Sequence, residues 1–202
     1  MDEAPSGGHS CFRVDARSYY MSPLLQLDHH LIADAPGLEN PALTVLFVLL
    51  SAWWVKGPLL VAAALCSDLW RRRVPLAFMA TGAAVLATSV VVDVVKNLVD
   101  RQRPPVQQAG LDALVPTPDN PSFPSGHAAT TFAAAAAIAV LCPRLRWPAL
   151  ALAAAVSFSR IYLRVHFPLD VLAGAALGGA VGLLCGFIAL RALRLVGPSR
   201  PA

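Results

Sequence analysis

Apolar residues fill most of this chain in long runs, and the few interruptions by charge, proline or glycine mark out its elements. Residues 1–22 show no apolar period, are rich in Gly, Ser, Asp and Arg, and are assigned no function. From Pro23 to Ala35, Leu24, Leu27 and Leu31, with Leu25 and Ile32 beside them, recur at helical spacing against Gln26, Asp28, His29, His30 and Asp34. This pattern predicts an amphipathic helix lying in a membrane interface. The run Pro41–Trp70 is too long for one upright helix and too short for two spans of about 17 residues each. Lys56, Gly57 and Pro58 interrupt it. The preferred reading is a short apolar interfacial helix leading into one kinked span that ends near Trp70, with Pro58 at the bend; two very short spans are the alternative. Val74–Val99, Ala128–Leu141, Trp147–Leu163 and about Leu169–Leu190 are cleaner spans. The second of these is short, so its helix is expected to begin several residues earlier, inside a polar motif.

Composition sharpens the picture. The chain is 56% hydrophobic and only 14% charged, with mean hydropathy +0.59, where soluble domains carry about a quarter charged residues. The expected fold class is all-α, an integral membrane helical bundle of five to six transmembrane helices with an amphipathic N-terminal interfacial helix. Its expected organisation is a polar N-terminal segment over 1–40, a membrane catalytic domain over 41–194 and a short cytoplasmic tail over 195–202. The net charge of +4 does not indicate nucleic acid, because the basic residues are spread out and aromatics make up only 7%. Instead it indicates topology: Arg71–Arg73, Arg144 with Arg146, and Arg191 with Arg194 are each separated by two spans and fall on one face, taken as cytoplasmic. The polar loop Asp100–Gly126 and the link Arg164–Pro168 then lie on the external face. Cys11, Cys66, Cys142 and Cys185 have neither disulfide-framework nor zinc spacing. The first twenty residues lack an apolar core, so no cleavable secretory signal is expected; if only five spans exist, the amino terminus is external.

Those two external segments hold most of the polar chemistry. Taken singly, each group has a bland reading. Lys96 and Arg103 could snorkel to headgroups, Pro124-Ser125-Gly126 could be an ordinary turn and cap, and His166 with Asp170 could be a capping pair. Together they put two histidines and three strong cations at one membrane boundary. Lys96, Arg103 and Arg160 are suited to phosphate oxygens, by point charge and by planar fork. The amides of Ser125, Gly126 and His127 open a helix whose positive end favours an anion. Asp170, in the first turn of the last helix, can set the tautomer of His166, which makes His166 the oriented nucleophile and His127 the acid that protonates the leaving oxygen and later activates water.

In this order the residues resemble the phosphatidic acid phosphatase type 2 superfamily of integral membrane lipid phosphatases. Its signatures read here as Lys96, six residues, Arg103-Pro104; Pro124-Ser125-Gly126-His127; and Ser159-Arg160, five residues, His166, three residues, Asp170. The match runs from about Val74 to Gly186. The resemblance implies a phosphohistidine on His166, oriented by Asp170, with His127 as acid then base, and phosphate binding by Lys96, Arg103, Ser125, Gly126 and Arg160. It implies no metal and no cofactor. One departure is Arg164, where many relatives carry glycine; it is expected to add a cation at the mouth of the site. The absence of an apolar first span is another.

The implied substrate is a lipid phosphate or diphosphate, such as phosphatidate, phosphatidylglycerol phosphate or a polyprenyl phosphate or diphosphate, presented from the outer leaflet of the plasma membrane. A phosphotransferase is the alternative; a vanadate-dependent haloperoxidase or a non-enzymatic lipid-binding module is less favoured. Membrane lipids are the expected partners, nucleic acid is not, and the oligomeric state is not legible. Among the remaining features, Asp93 is expected to pair with Lys96 and Asp68 with Arg71. His29 and His30 are expected to be interfacial surface residues. Gly174, Gly178, Gly182 and Gly186 form a ribbon for close helix packing within the subunit. The proline-rich stretch Pro104–Pro124 is expected to be a mobile loop over the site.

Overall fold

The computed structural model describes residues 23–52, 55, 57–70 and 75–196. Among them the chain forms eight α-helices and no strand: α1 (Pro23–Ala33), α2 (Pro41–Leu50), α3 (Pro58–Trp70), α4 (Leu76–Val99), α5 (Pro104–Gln107), α6 (Gly126–Leu141), α7 (Arg146–Tyr162) and α8 (Pro168–Val196). The N-terminal stretch 1–22, Lys56, the basic cluster Arg71–Arg73 and residues 197–202 lie outside the described residues.

The centre of the bundle is α6, whose alanine-rich sequence has little side-chain bulk to hold neighbours away. Ten of its residues, from Ala128 to Ile138, are buried, with α4, α7 and α8 packed around it. A helix buried on all sides shows no apolar stripe. The glycine ribbon of α8 lies directly on α6: a Cβ added to Gly178 would collide with the Ala129 carbonyl, one on Gly182 with that of Ala133, and one on Gly174 would come within 2.5 Å of the Ser125 carbonyl oxygen. The close approach expected of the ribbon is therefore made within the subunit. At the opposite end of the bundle from Ser125, α3 packs on α4 and α6, and Ala64, Ala77, Ala135, Ile138 and Ala149 form an apolar cluster.

The outer surface of the bundle is apolar where a soluble protein would be charged. Leu86, Val90, Leu184 and Ile188 are each at least 60% exposed. Among the described residues two stretches are long and apolar enough to cross a membrane, Leu76–Gln107 and Pro168–Leu195, against the five to six spans expected. The sixteen residues of α6 rise only about 24 Å at 1.5 Å per residue, short of a ~30 Å hydrocarbon layer. Its start at Gly126 is two residues before Ala128, inside the polar motif as anticipated.

The stretch 41–70 differs from the preferred reading. Instead of one kinked span it forms two helices, and Pro58 begins α3 rather than bending it; proline at a helix start loses no hydrogen bond. Both ends of α2 meet the same end of the bundle. The Asn40 amide donates to the Tyr162 hydroxyl at 2.9 Å, and the hydroxyls of Ser51 and Ser159 are 3.1 Å apart. Asn40 also caps α2, its Oδ1 accepting from the Ala42 amide at 2.9 Å. So α2 lies across the bundle end.

Candidate active site

Four chain segments converge at the bundle end reached by the C-termini of α4 and α7 and the N-termini of α6 and α8. The link between α7 and α8 turns back tightly: the Leu163 amide donates to the Ser159 carbonyl at 2.9 Å and the Val165 amide to the Arg160 carbonyl at 3.2 Å. Arg164 adopts φ 58°, a left-handed conformation that is costly for a side chain bearing a Cβ and free for glycine. Arg164 does not stand at the mouth as a spare cation. It is buried, ion-paired with Glu39 and donates to the Asp112 carbonyl at 3.1 Å, tying the α1–α2 connection and the α5–α6 loop to the link.

His166 is buried in that link. Its Nδ1 faces Asp170 Oδ2 at 3.5 Å and the Ser122 hydroxyl at 3.4 Å; its Nε2 faces Arg103 Nη1 at 3.3 Å. Because a guanidinium can only donate, the Nε2 beside it is the unprotonated nitrogen. Burial is the main cause that pushes the imidazole pKa down from 6.5 to about 4; the cations of Arg103 and Arg160 push the same way, while Asp170 opposes them. At neutral pH His166 is a neutral imidazole with its free lone pair on the Arg103 side.

Asp170 is wholly buried in the first turn of α8. Its Oδ2 accepts from the Phe167 amide at 3.0 Å, the helix-start bond of a capping box, and from the Ser122 hydroxyl. Its Oδ1 accepts from Arg101 Nη1 at 2.7 Å. The Ser125 amide donates to the Asp170 backbone carbonyl at 2.9 Å, locking the start of α6 to the start of α8.

The cations sit around this core. Arg103 immediately precedes α5 and donates to the Val165 carbonyl at 2.7 Å, the Asn120 carbonyl at 3.0 Å and Asn120 Oδ1 at 2.7 Å. Lys96, in the last turn of α4, is buried and donates to the Pro121 carbonyl. Arg160, in the last turn of α7, is buried, and its Nε has no hydrogen-bond partner; neither does the buried Ser125 Oγ. Buried donors left unpaired are costly and fit an anion that would satisfy them. Gly126 is the first residue of α6. His127 follows it, half-buried, with Nε2 on the Ser51 carbonyl at 3.2 Å, so it leans toward α2 rather than sharing a direct bond with His166.

Several expectations need correcting. Asp93 is exposed on α4, whereas Lys96 is buried and its ammonium is drawn inward to the Pro121 carbonyl. Asp68 is buried and accepts from the Phe78 amide at 3.0 Å, capping the start of α4; Arg71, its expected partner, lies outside the described residues. His29 is not a surface residue: it is half-buried and stacks on Phe167 with ring centroids 4.8 Å apart. The end of the 104–124 stretch is built into the site through Asn120, Pro121 and Ser122 rather than merely covering it.

Residues not singled out in the sequence also belong here. Arg101 links Asp170 to Asp28 of α1, Ser122 touches both Asp170 and His166, and Ser51 supports His127. Arg101 was legible only as the first arginine of an Arg-x-Arg pair, and Asp28 only as one of several polar residues on an amphipathic helix.

The site therefore sets a buried histidine, backed by a carboxylate and ringed by arginines, at one end of a helical bundle. The PAP2 superfamily matches residues 77–192, over half the chain, and the chain belongs to that family. It is similar to decaprenylphosphoryl-5-phosphoribose phosphatase from Mycobacterium tuberculosis, with 38% identity over 53% of this chain and 58% of the relative. It is also similar to lipid A 1-phosphatase from Rhizobium etli, with 33% identity over 53% of this chain and 48% of the relative. The chain therefore spans about half the length of these curated relatives. The fold is similar to that of a transmembrane PAP2-type phosphatidylglycerolphosphate phosphatase from Bacillus subtilis, with TM-score 0.70 and 23% identity, covering 91% of this chain and 92% of that one.

Proposed function

We propose that the chain is a membrane-embedded, metal-independent phosphatase that hydrolyses a lipid phosphate or diphosphate through a phosphohistidine on His166. The observation that carries this is the state of His166: buried and neutral, with Asp170 behind Nδ1 and Nε2 presented to Arg103. In the first step Nε2 attacks phosphorus, the N–P bond forms and the P–O bond to the lipid breaks, and the departing oxygen takes a proton from His127. In the second, water gives a proton to His127, its oxygen attacks phosphorus, the N–P bond breaks and inorganic phosphate leaves with His166 neutral again. Arg103, Lys96 and Arg160 supply positive charge, the amides of Gly126 and His127 and the hydroxyl of Ser125 supply donors, and each becomes more valuable as charge builds on the phosphoryl oxygens.

The site lies at the bundle end away from exposed Arg144, Arg146, Arg191 and Arg194. By the positive-inside rule this supports an extracytoplasmic site in the plasma membrane. A lipid with its tail beside α4 and α8 would present its headgroup at that depth. The relatives are named for chemically different lipids, and phosphatidate, phosphatidylglycerol phosphate and polyprenyl phosphates or diphosphates all share the chemistry proposed.

The test is phosphate release by purified protein in detergent with EDTA present, wild type beside His166→Ala, across those lipids. Release that survives EDTA and is lost in the variant is the expected result. Release abolished by EDTA, or unchanged in the variant, contradicts it. Transfer of the phosphoryl group to a lipid or sugar hydroxyl in place of free phosphate would mark a phosphotransferase.

A further inference from the structure

The helix α1 lies outside the family match, yet one of its carboxylates is wired to the candidate nucleophile. Asp28 is 2% exposed. Its Oδ2 accepts from Arg101 Nη2 at 2.6 Å, and its Oδ1 accepts from the Leu169 amide at 2.8 Å, one of the otherwise unpaired amides opening α8. The other end of the same guanidinium, Nη1, reaches Asp170 Oδ1 at 2.7 Å. The fork therefore spans two carboxylates that arrive from opposite ends of the sequence. Its plane lies over the Phe167 ring, with Cζ 4.0 Å from the centroid, and His29 of α1 stacks on that ring as well. Phe167, Ile32, Ala35 and Leu111 close the surrounding apolar cluster.

Charges this deeply buried are tolerated only when each finds partners. Without Asp28 the guanidinium would keep one carboxylate and lose the fixed bidentate geometry that sets its orientation. Asp170 Oδ1 would then lose its fixed partner, and the carboxylate that faces His166 would be held only at Oδ2, by the Phe167 amide and the Ser122 hydroxyl. We propose that Asp28 and Arg101 are positioning residues for the nucleophile, with Asp28 of α1 orienting Arg101, Arg101 fixing the Asp170 carboxylate, and Asp170 aligning His166. The inference rests on the phosphatase reading of the site. It assigns to the N-terminal helix a part in catalysis. Neither residue touches the space beside Nε2 where phosphorus would sit, so their effect should fall on turnover and spare substrate binding.

The experiment measures kcat and KM for Asp28→Asn, Arg101→Gln and the double variant, in the full chain in detergent, with whichever of phosphatidate, phosphatidylglycerol phosphate or a polyprenyl diphosphate the wild type hydrolyses fastest. Asn at 28 can still accept from Leu169 but cannot pair with a cation. The expected result is a fall in kcat of about tenfold for Asp28→Asn and about a hundredfold for Arg101→Gln, with KM moving less than about twofold. In the Arg101→Gln background, Asp28→Asn should cost nothing more, because the link it acts through is already broken. Asp28→Glu should restore part of the loss. If Arg101→Gln does not fold, Arg101→Lys serves, since an ammonium keeps the charge without the planar fork that fixes both carboxylates; it should also lower kcat, and Asp28→Asn should cost less in that background than in the wild type. Unchanged kcat in Asp28→Asn, losses that multiply in the double variant, or effects confined to KM would overturn the proposal. No phosphate release by wild type from any of the lipids would instead remove the phosphatase reading itself.

Discussion

Where α8 passes Ala129 and Ala133 of α6, nothing polar lies between the two helices and glycine alone lets their backbones meet. One or two turns away, at Asp170, the same two helices are joined by an amide-to-carbonyl bond from Ser125, and the start of α8 is held by Arg101, Ser122 and Asp28. The first region is specified by the absence of side chains, the second by charge and hydrogen-bond geometry. Small residues are what membrane helices need in order to approach closely, since lipid is as apolar as leucine and burial alone drives little association. Fixed dipoles and charges are what phosphoryl chemistry needs. The two regions should fail in different ways when altered: the packing region by loss of fold with the chemistry following, the site by loss of chemistry with the fold intact.

The largest expected effect is at the site. His166→Ala should lower kcat by about 10⁴-fold or more, as loss of a nucleophile does when binding and electrostatic groups remain, with an unchanged melting temperature and size-exclusion profile. Loss of fold in this variant would break the contrast. Next comes the packing region. Gly178→Val forces a side chain into the Ala129 backbone and should destabilise by about 3–5 kcal/mol, whereas Gly179→Val, with open space around its Cβ position, should be close to neutral; thermal unfolding of the two variants in detergent makes the comparison.

The pH dependence gives an intermediate effect that tests how deeply His166 is buried. Its pKa is depressed, so the unprotonated nucleophile persists through neutral and mildly acidic pH and is lost as pH falls through about 4. The kcat/KM profile, which reports the free enzyme, should therefore show no His166 limb near 6.5 and should decline about tenfold per unit below about 4. A limb near 6.5 abolished together with His166 would mean an imidazole in contact with water. The smallest effect belongs to Arg164→Gly. Relief of the left-handed backbone is worth about 1 kcal/mol and the lost Glu39 pair costs a similar amount at a partly exposed partner, so melting should barely move. Retained turnover would show that Arg164 serves the link rather than the substrate.

The two regions also differed in how much of them could be read from sequence. The site motifs were legible because Lys96, Arg103, His127, Arg160, His166 and Asp170 are residues that an apolar helical bundle has no other use for, and their order survives as an arrangement in space. The glycine ribbon was legible because its four-residue period matches the helix. Arg101 was missed because a loop has no period to say which of two arginines, Arg101 or Arg103, faces histidine and which faces carboxylate. Asp28 was missed because a polar face on an amphipathic helix reads as water-facing until another element is seen to cover it. At 41–70 a short helix leading into a second element was legible from the break at Lys56, Gly57 and Pro58, but Pro58 was placed at a bend because sequence alone does not distinguish a proline that bends a helix from one that starts it. Asp93 and Lys96 were paired by spacing alone, without the side-chain directions that separate them.

The central claim is that His166 carries the phosphoryl group. The direct measurement is rapid alkaline quench of wild-type protein turning over a lipid phosphate, followed by peptide mapping of the phosphorylated residue. The expected result is an alkali-stable, acid-labile phosphate on the peptide containing His166, formed and consumed at a rate compatible with turnover. Phosphate found on His127 or on a hydroxyl residue, or turnover with no trapped phosphoryl-enzyme while His166→Ala remains active, would contradict it.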